Sequence, residues 1–213
     1  MTSNIEIESR ALLSVDQRGE MLRYMETLGK IEEVERTMID FSGRDRGRTV
    51  VVRVNNGVQE LVAKSGKLTD SIRQETRLQL PIETPLEQTL SYLAIMGYGD
   101  AIVSVRKMFT VQTADLEYSI RDILSSSTGT RVSTLFEIEA LHVTEVDKQA
   151  ALAKVKKAFG VHGIEPLSKD EWRRWVEETQ EHVDRSFAYS PEAANALAQS
   201  LRKNAFPSAT IEV

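Results

Sequence analysis

Polar and apolar positions alternate with a period of two along most of the first 142 residues. Residues 5–13 read Ile5-Glu6-Ile7-Glu8-Ser9-Arg10-Ala11-Leu12-Leu13. In a strand this puts Glu6, Glu8 and Arg10 on one face and Ile5, Ile7, Ala11 and Leu13 on the other. The segment Leu135-Phe136-Glu137-Ile138-Glu139-Ala140-Leu141 repeats the pattern, with Glu137 and Glu139 opposite Phe136, Ile138 and Ala140. Between them the pattern predicts strands over 32–42, 49–54, 58–64, 73–80, 101–112, 116–125 and 131–142, with a tight hairpin turn at Asn55-Asn56-Gly57. A helix is predicted over 16–28, with Met21, Leu22, Met25 and Leu28 at helical spacing and Gly29 as its stop. Thr84-Pro85-Leu86-Glu87 reads as a second helix start, capped by Thr84. After 142 the period changes to that of helices. One is predicted to start at Thr144, one at the capping box Ser168-Lys169-Asp170-Glu171, and one at Ser190-Pro191. Successive hairpins imply antiparallel pairing and an α+β protein.

The polar faces carry acids and bases of both signs. Arg36 lies with Met38 and Asp40, Arg53 with Thr49 and Val51, and Lys64 with Glu60 and Val62. Arg73 lies with Glu75 and Arg77, Arg106 with Ser104, and Asp122 with Tyr118 and Ile120. A single such strand is ordinarily solvated sheet surface. A whole set of them fits an eight-stranded antiparallel barrel, whose closure removes its edges. Apolar faces would then meet flanking helices, and charged faces would line a tunnel suited to a polyanion and a divalent cation. Carboxylate clusters are what Mg²⁺ and Mn²⁺ prefer.

The chain has 213 residues, enough for one domain with an appendage. Its net charge of −5 argues against a general nucleic-acid coat and leaves room for a local basic channel; no sequence-specific nucleic-acid partner is expected. It contains no cysteine, which excludes disulfides, zinc–thiolate sites and cysteine nucleophiles. No apolar run approaches the roughly 20 residues needed to span a bilayer. A cytoplasmic protein without a membrane partner is expected. His142, His162 and His182 have no zinc-like spacing, and Trp172 and Trp175 read as core packing. The glycine-flanked basic loop at 43–48 lacks the Walker spacing and reads as a turn.

At these residues the chain resembles the CYTH, or triphosphate tunnel metalloenzyme, superfamily. The family's Glu-x-Glu-x-Lys signature is matched by Glu6-Ile7-Glu8-Ser9-Arg10, with Arg10 in the lysine's place. Arg53 before the Asn55–Gly57 turn, Lys64-Ser65-Gly66, Arg73-Gln74-Glu75, the helix-ending segment Leu93 to Tyr98, Arg106, Asp122 and Glu137-Ile138-Glu139 follow in family order. The resemblance covers about residues 5–142. It implies a tunnel barrel over 1–145. The amphipathic stripes of the C-terminal helices over 146–213 predict that they pack on the barrel, cap one mouth or form a homodimer face. The resemblance also implies a divalent-metal-dependent triphosphatase whose partner is a triphosphate-containing small molecule, inorganic or organic (nucleoside or thiamine). Glu6, Glu8 and Glu139 would hold Mg²⁺ or Mn²⁺. Arg10, Arg53, Lys64, Arg73 and Arg106 would bind phosphate, and Glu137 and Asp122 would be the catalytic carboxylates. The alternatives are a class IV-type adenylate cyclase, a non-catalytic triphosphate- or nucleotide-binding module, and a structural β-domain whose charges merely pair.

Overall fold

Each strand face seeks a different environment, and closing the sheet on itself satisfies both. The structure, a computed structural model, describes residues 2–41, 48–55, 58–65, 71–125, 128–183 and 185–204. The expected hairpin turn at 56–57, the basic loop at 43–47 and Gly66 of the Lys64-Ser65-Gly66 segment lie outside the described residues. The strands are β1 (Thr2–Leu12), β2 (Glu32–Asp40), β3 (Arg48–Asn55), β4 (Val58–Ser65), β5 (Ile72–Gln79), β6 (Asp100–Gln112), β7 (Leu116–Leu124) and β8 (Arg131–Ala140). Their spatial order is β2-β3-β4-β5-β1-β8-β7-β6, and β6 pairs back onto β2. The result is a closed eight-stranded antiparallel barrel with flanking helices, an α+β protein as the alternation predicts.

The cores lie outside the barrel wall. Helices α1 (Val15–Leu28) and α3 (Lys148–Val161) cover one flank. There Ile7, Ala11, Tyr118, Ile120, Phe136 and Ile138 pack with Met21, Met25, Val155 and Phe159. Helices α2 (Leu86–Ile95) and α5 (Pro191–Asn204) cover another. There Ile39, Val50, Val52 and Val103 meet Leu86, Leu90, Leu93, Ala194 and Leu197. Burying such side chains is worth roughly 1.5–3 kcal/mol each, and most of it accrues on the outer face; Met38, Val51 and Val62 form a small apolar cluster within the barrel.

Helix α4 (Lys169–Val183) lies across one end of the barrel. Its Trp172 and Trp175, with Leu167, pack on Ile123 and Leu135. The predicted capping box is present: Glu171 N–H donates to Ser168 Oγ at 3.3 Å, and Ser168 N–H to Glu171 Oε2 at 2.8 Å. Just before it, Leu167 N–H donates to the Arg10 carbonyl at 2.7 Å, which fixes this end of the helix to the barrel rim.

Three local expectations are corrected. The stretch after α4 is not wholly helical: β9 (Arg185–Ala188) pairs antiparallel with Asp100–Val103 of β6. There β6 runs past the end of β7, whose last pair is Leu124 opposite Val105. Its unpaired backbone takes β9 instead. Helix α2 begins at Leu86 with Pro85 at the cap and no side-chain cap bond. Gln59 ties this start to β4 instead, donating to the Thr84 carbonyl at 2.6 Å and accepting from Thr89 Oγ1 at 3.0 Å. Helix α3 begins at Lys148, because Thr144 and Asp147 close a separate turn through Thr144 Oγ1–Asp147 Oδ2, 2.5 Å. No described helix is long and apolar enough to cross a membrane.

Candidate functional site

The barrel interior holds two adjoining cavities. One, of about 140 Å³, lies under α4 and is walled by Arg10, Arg53, Lys64, Arg73, Arg106 and Arg121. The other, about 670 Å³, opens at the opposite mouth and carries Glu6, Glu32, Glu60, Glu117 and Glu139 beside Arg36 and Arg77. Arg53 and Arg121 border both. Strand alternation alone delivers this, since every second residue of each strand points inward.

The inward charges form a continuous ionic mesh. Glu8 pairs with Arg10 and Arg73. Glu6 pairs with Lys64, and its Oε2 lies 3.0 Å from Arg73. Glu75 is shared by Lys64 at 2.7 Å, Arg53 at 3.4 Å and Arg77. Glu137 takes Arg10 Nε at 2.7 Å on one oxygen and Arg121 on the other. Glu8, Glu75 and Glu137 are each only 1% exposed, so nearly all their solvation comes from these cations. The Nε groups of Arg53, Arg73 and Arg106 are buried without a hydrogen-bond partner among the described residues. They are donors in search of an acceptor.

The two glutamates of β8 titrate in opposite directions. Burial would raise the Glu137 carboxyl, but Arg121 and Arg10 outweigh it and hold it at about 2. Burial, with Glu6, Glu137 and Glu117 nearby, pushes Glu139 up to about 7. Burial, then Arg121, lowers Arg106 to about 10. Burial, then Arg53, does the same to Arg36. The interior therefore has one end where cations gather and another where carboxylates crowd together.

All five predicted phosphate-binding cations, Arg10, Arg53, Lys64, Arg73 and Arg106, line the cavity under α4. Oxygens of Glu6, Glu8 and Glu139 lie within 4.8 Å of one another. Glu8 stands directly across from Glu139 in the β1–β8 register, and Glu117 across from Glu139 in the β7–β8 register. Like charges so placed repel. The donor set fits a hard divalent cation: three carboxylates converge, and Glu139 lacks a close counter-charge, with Arg77 3.8 Å away.

Asp122 does not join this group. It shares the outer face of β7 with Tyr118 and Ile120, accepts from Arg18 of α1 at 2.9 and 2.6 Å, and accepts from Thr134 Oγ1 at 2.7 Å. The interior position beside it belongs to Arg121, which the sequence reading missed. Arg36 and Arg77 are further interior cations outside the predicted site. Trp172 and Trp175 do more than fill a core, because they also line the cavity under α4.

No protein-family model matches the chain, and no curated protein matches it. Solved structures share its fold. The PH1819 protein of Pyrococcus horikoshii OT3 superposes with a TM-score of 0.58 at 15% identity, covering 82% of this chain and 99% of that one. A component of the Schizosaccharomyces pombe Mediator head module gives 0.58 at 12%, covering 74% and 96%. A candidate adenylate cyclase of Vibrio parahaemolyticus gives 0.53 at 11%, covering 80% and 93%. At such identities the likeness is one of fold, and a fold of this kind serves unrelated roles.

Proposed function

We propose that the chain is a divalent-metal-dependent triphosphatase acting inside its tunnel. The observation that carries this reading is the juxtaposition, in one closed barrel, of five predicted cations in one cavity with a converging trio of carboxylates. Phosphoryl transfer needs charge neutralisation and alignment more than covalent catalysis, and these groups supply both.

The ionic mesh has a direct mechanistic use. Lys64, Arg73 and Arg10 neutralise Glu6 and Glu8 in the resting chain. A triphosphate would offer them stronger, charge-assisted partners, which would leave the carboxylates free to hold Mg²⁺ or Mn²⁺. Held by Glu6, Glu8 and Glu139, that ion would neutralise phosphate charge and favour departure of the leaving oxygen. Glu137, an anion down to about pH 2, can accept a hydrogen bond from the attacking water and orient it. Water adds to the terminal phosphorus as the anhydride P–O bond breaks, and inorganic triphosphate yields phosphate and pyrophosphate. Asp122 has no part in this step, because it faces α1.

A second reading, a triphosphate-binding module without turnover, is favoured by Glu137 itself. Its two oxygens are already occupied by Arg10 and Arg121. A cyclase is the third reading, prompted by the shared fold with the Vibrio protein. One assay separates them. The chain is incubated with inorganic triphosphate or ATP and Mg²⁺ or Mn²⁺, and phosphate, pyrophosphate and cyclic AMP are measured together. Phosphate release that disappears in Glu6→Gln/Glu8→Gln, with the fold retained by circular dichroism, is expected. Pyrophosphate with cyclic AMP would replace this reading by the cyclase, and tight binding without product by the module.

A further inference from the structure

The cavity under α4 is not uniformly ionic. Above its cationic floor run Met38, Val51, Ile102, Ile123 and Leu135, and α4 closes it with Trp172, Trp175 and Val176. The two indoles stack at 4.8 Å and 22°, and the Arg10 guanidinium lies 4.6 Å from the centre of the Trp172 ring. A bare triphosphate gains nothing from such a roof, because polyanion oxygens beside apolar carbon lose hydration without replacement. Trp172 Nε1–H is buried and has no acceptor among the described residues, whereas the Trp175 N–H is satisfied by Ser133 Oγ at 3.0 Å. A roof built only to pack would not leave a buried donor open.

We infer that the roofed cavity is a subsite for the heteroaromatic group of an organic triphosphate, with Trp172 and Trp175 as its specificity-determining residues. This rests on the triphosphate reading of the same tunnel. The lining is amphiphilic in the way such a ligand is: cations for the phosphate chain, then apolar walls and indole faces for a flat ring. A ring carbonyl or ring nitrogen supplies the acceptor that Trp172 lacks. Arg10 joins the two halves, bonding Glu8 and Glu137 below and facing the Trp172 ring above.

The chain has two tryptophans, and both are in this roof, so intrinsic emission reports on the cavity alone. The full chain would be titrated with ATP and, separately, with inorganic triphosphate, each with Mg²⁺, by calorimetry and by tryptophan emission. ATP is expected to bind about tenfold or more tighter and to quench the emission, as base–aromatic stacking does. Inorganic triphosphate should leave the emission almost unchanged. Trp175→Leu should weaken ATP about tenfold and inorganic triphosphate by less than about twofold. Trp172→Phe keeps a ring and removes the N–H, and should weaken ATP alone by about fivefold. Equal affinities for both ligands, or equal weakening of both in a Trp172→Phe protein of unchanged melting temperature, would overturn the subsite. Discrimination that persists while no product forms would overturn the triphosphatase and uphold the subsite.

Discussion

Glu137 and Glu139 stand two residues apart on β8, on the same face, and belong to different worlds. Glu137 lies between Arg10 and Arg121 at the basic end and stays ionised down to about pH 2. Glu139 faces the open mouth among Glu6, Glu8 and Glu117, has Arg77 only at 3.8 Å, and titrates at about 7. Glu137 is buried and Glu139 half-buried, and burial pushes both upward, so burial does not explain the difference. The neighbours across β1 and β7 do. One end of the tunnel is built to receive negative charge and the other positive charge, with one strand spanning both.

The largest expected effect comes from removing the anion at the basic end. Glu137→Leu leaves Arg10 and Arg121 without their shared partner and should destabilise the fold by about 3–5 kcal/mol in urea denaturation at pH 7. At the acidic end, Glu8→Gln should weaken Mn²⁺ binding, followed by electron spin resonance, on the order of 100-fold. Arg106→Met should leave Mn²⁺ affinity unchanged while weakening triphosphate binding. If both variants lose the metal alike, the two ends are not functionally distinct.

Glu139→Gln tests the same contrast through pH. Its folded value lies above the ordinary value of 4.5, so the folded chain holds this proton more tightly than the unfolded one. Stability from this group therefore falls as pH rises from about 4.5 to 7 and stays low above. The glutamine variant should lose that slope and gain about 2–3 kcal/mol at pH 8 in metal-free buffer. Glu137, with the opposite shift, costs stability only as pH drops below 4.5 toward about 2. The smallest effect belongs to the exterior: the Lys107–Glu33 pair, 2.6 Å apart and about half exposed at both residues, should contribute under about 0.5 kcal/mol, measured as Lys107→Ala.

The alternation of β1 and β8 made the barrel and the carboxylate trio legible, because period two assigns a face to every residue. The same rule places Asp122 outside: it rides with Leu116, Tyr118 and Ile120, the apolar face of β7, while Arg121 rides with Glu117 and Ser119. What could not be read is why a carboxylate is tolerated out there. Its counter-ion, Arg18, is 104 residues away on α1. Strand β9 was equally hidden. Four residues carry no period, and their pairing exists only because β6 outruns β7. The tryptophan stripe was legible as an apolar face, but its seat across the mouth depends on the Leu167–Arg10 backbone bond.

The pairing of β6 with β2 has a consequence for how this chain can go wrong. In an open sheet one strand can slide by a residue and leave its neighbours alone. In a ring, every strand has two neighbours to satisfy, so a slip must be undone or copied all the way round. A one-residue slip of β1 would put Ile5 and Ile7 among the guanidiniums and force Glu6 and Glu8 against Phe136 and Phe159. The wall thus proofreads itself: misregistered chains meet an electrostatic penalty inside and a packing penalty outside at once. By the same token the contents are interchangeable. Interior residues can be rewritten in like-sized, charge-balanced sets while the outer cores keep the vessel standing.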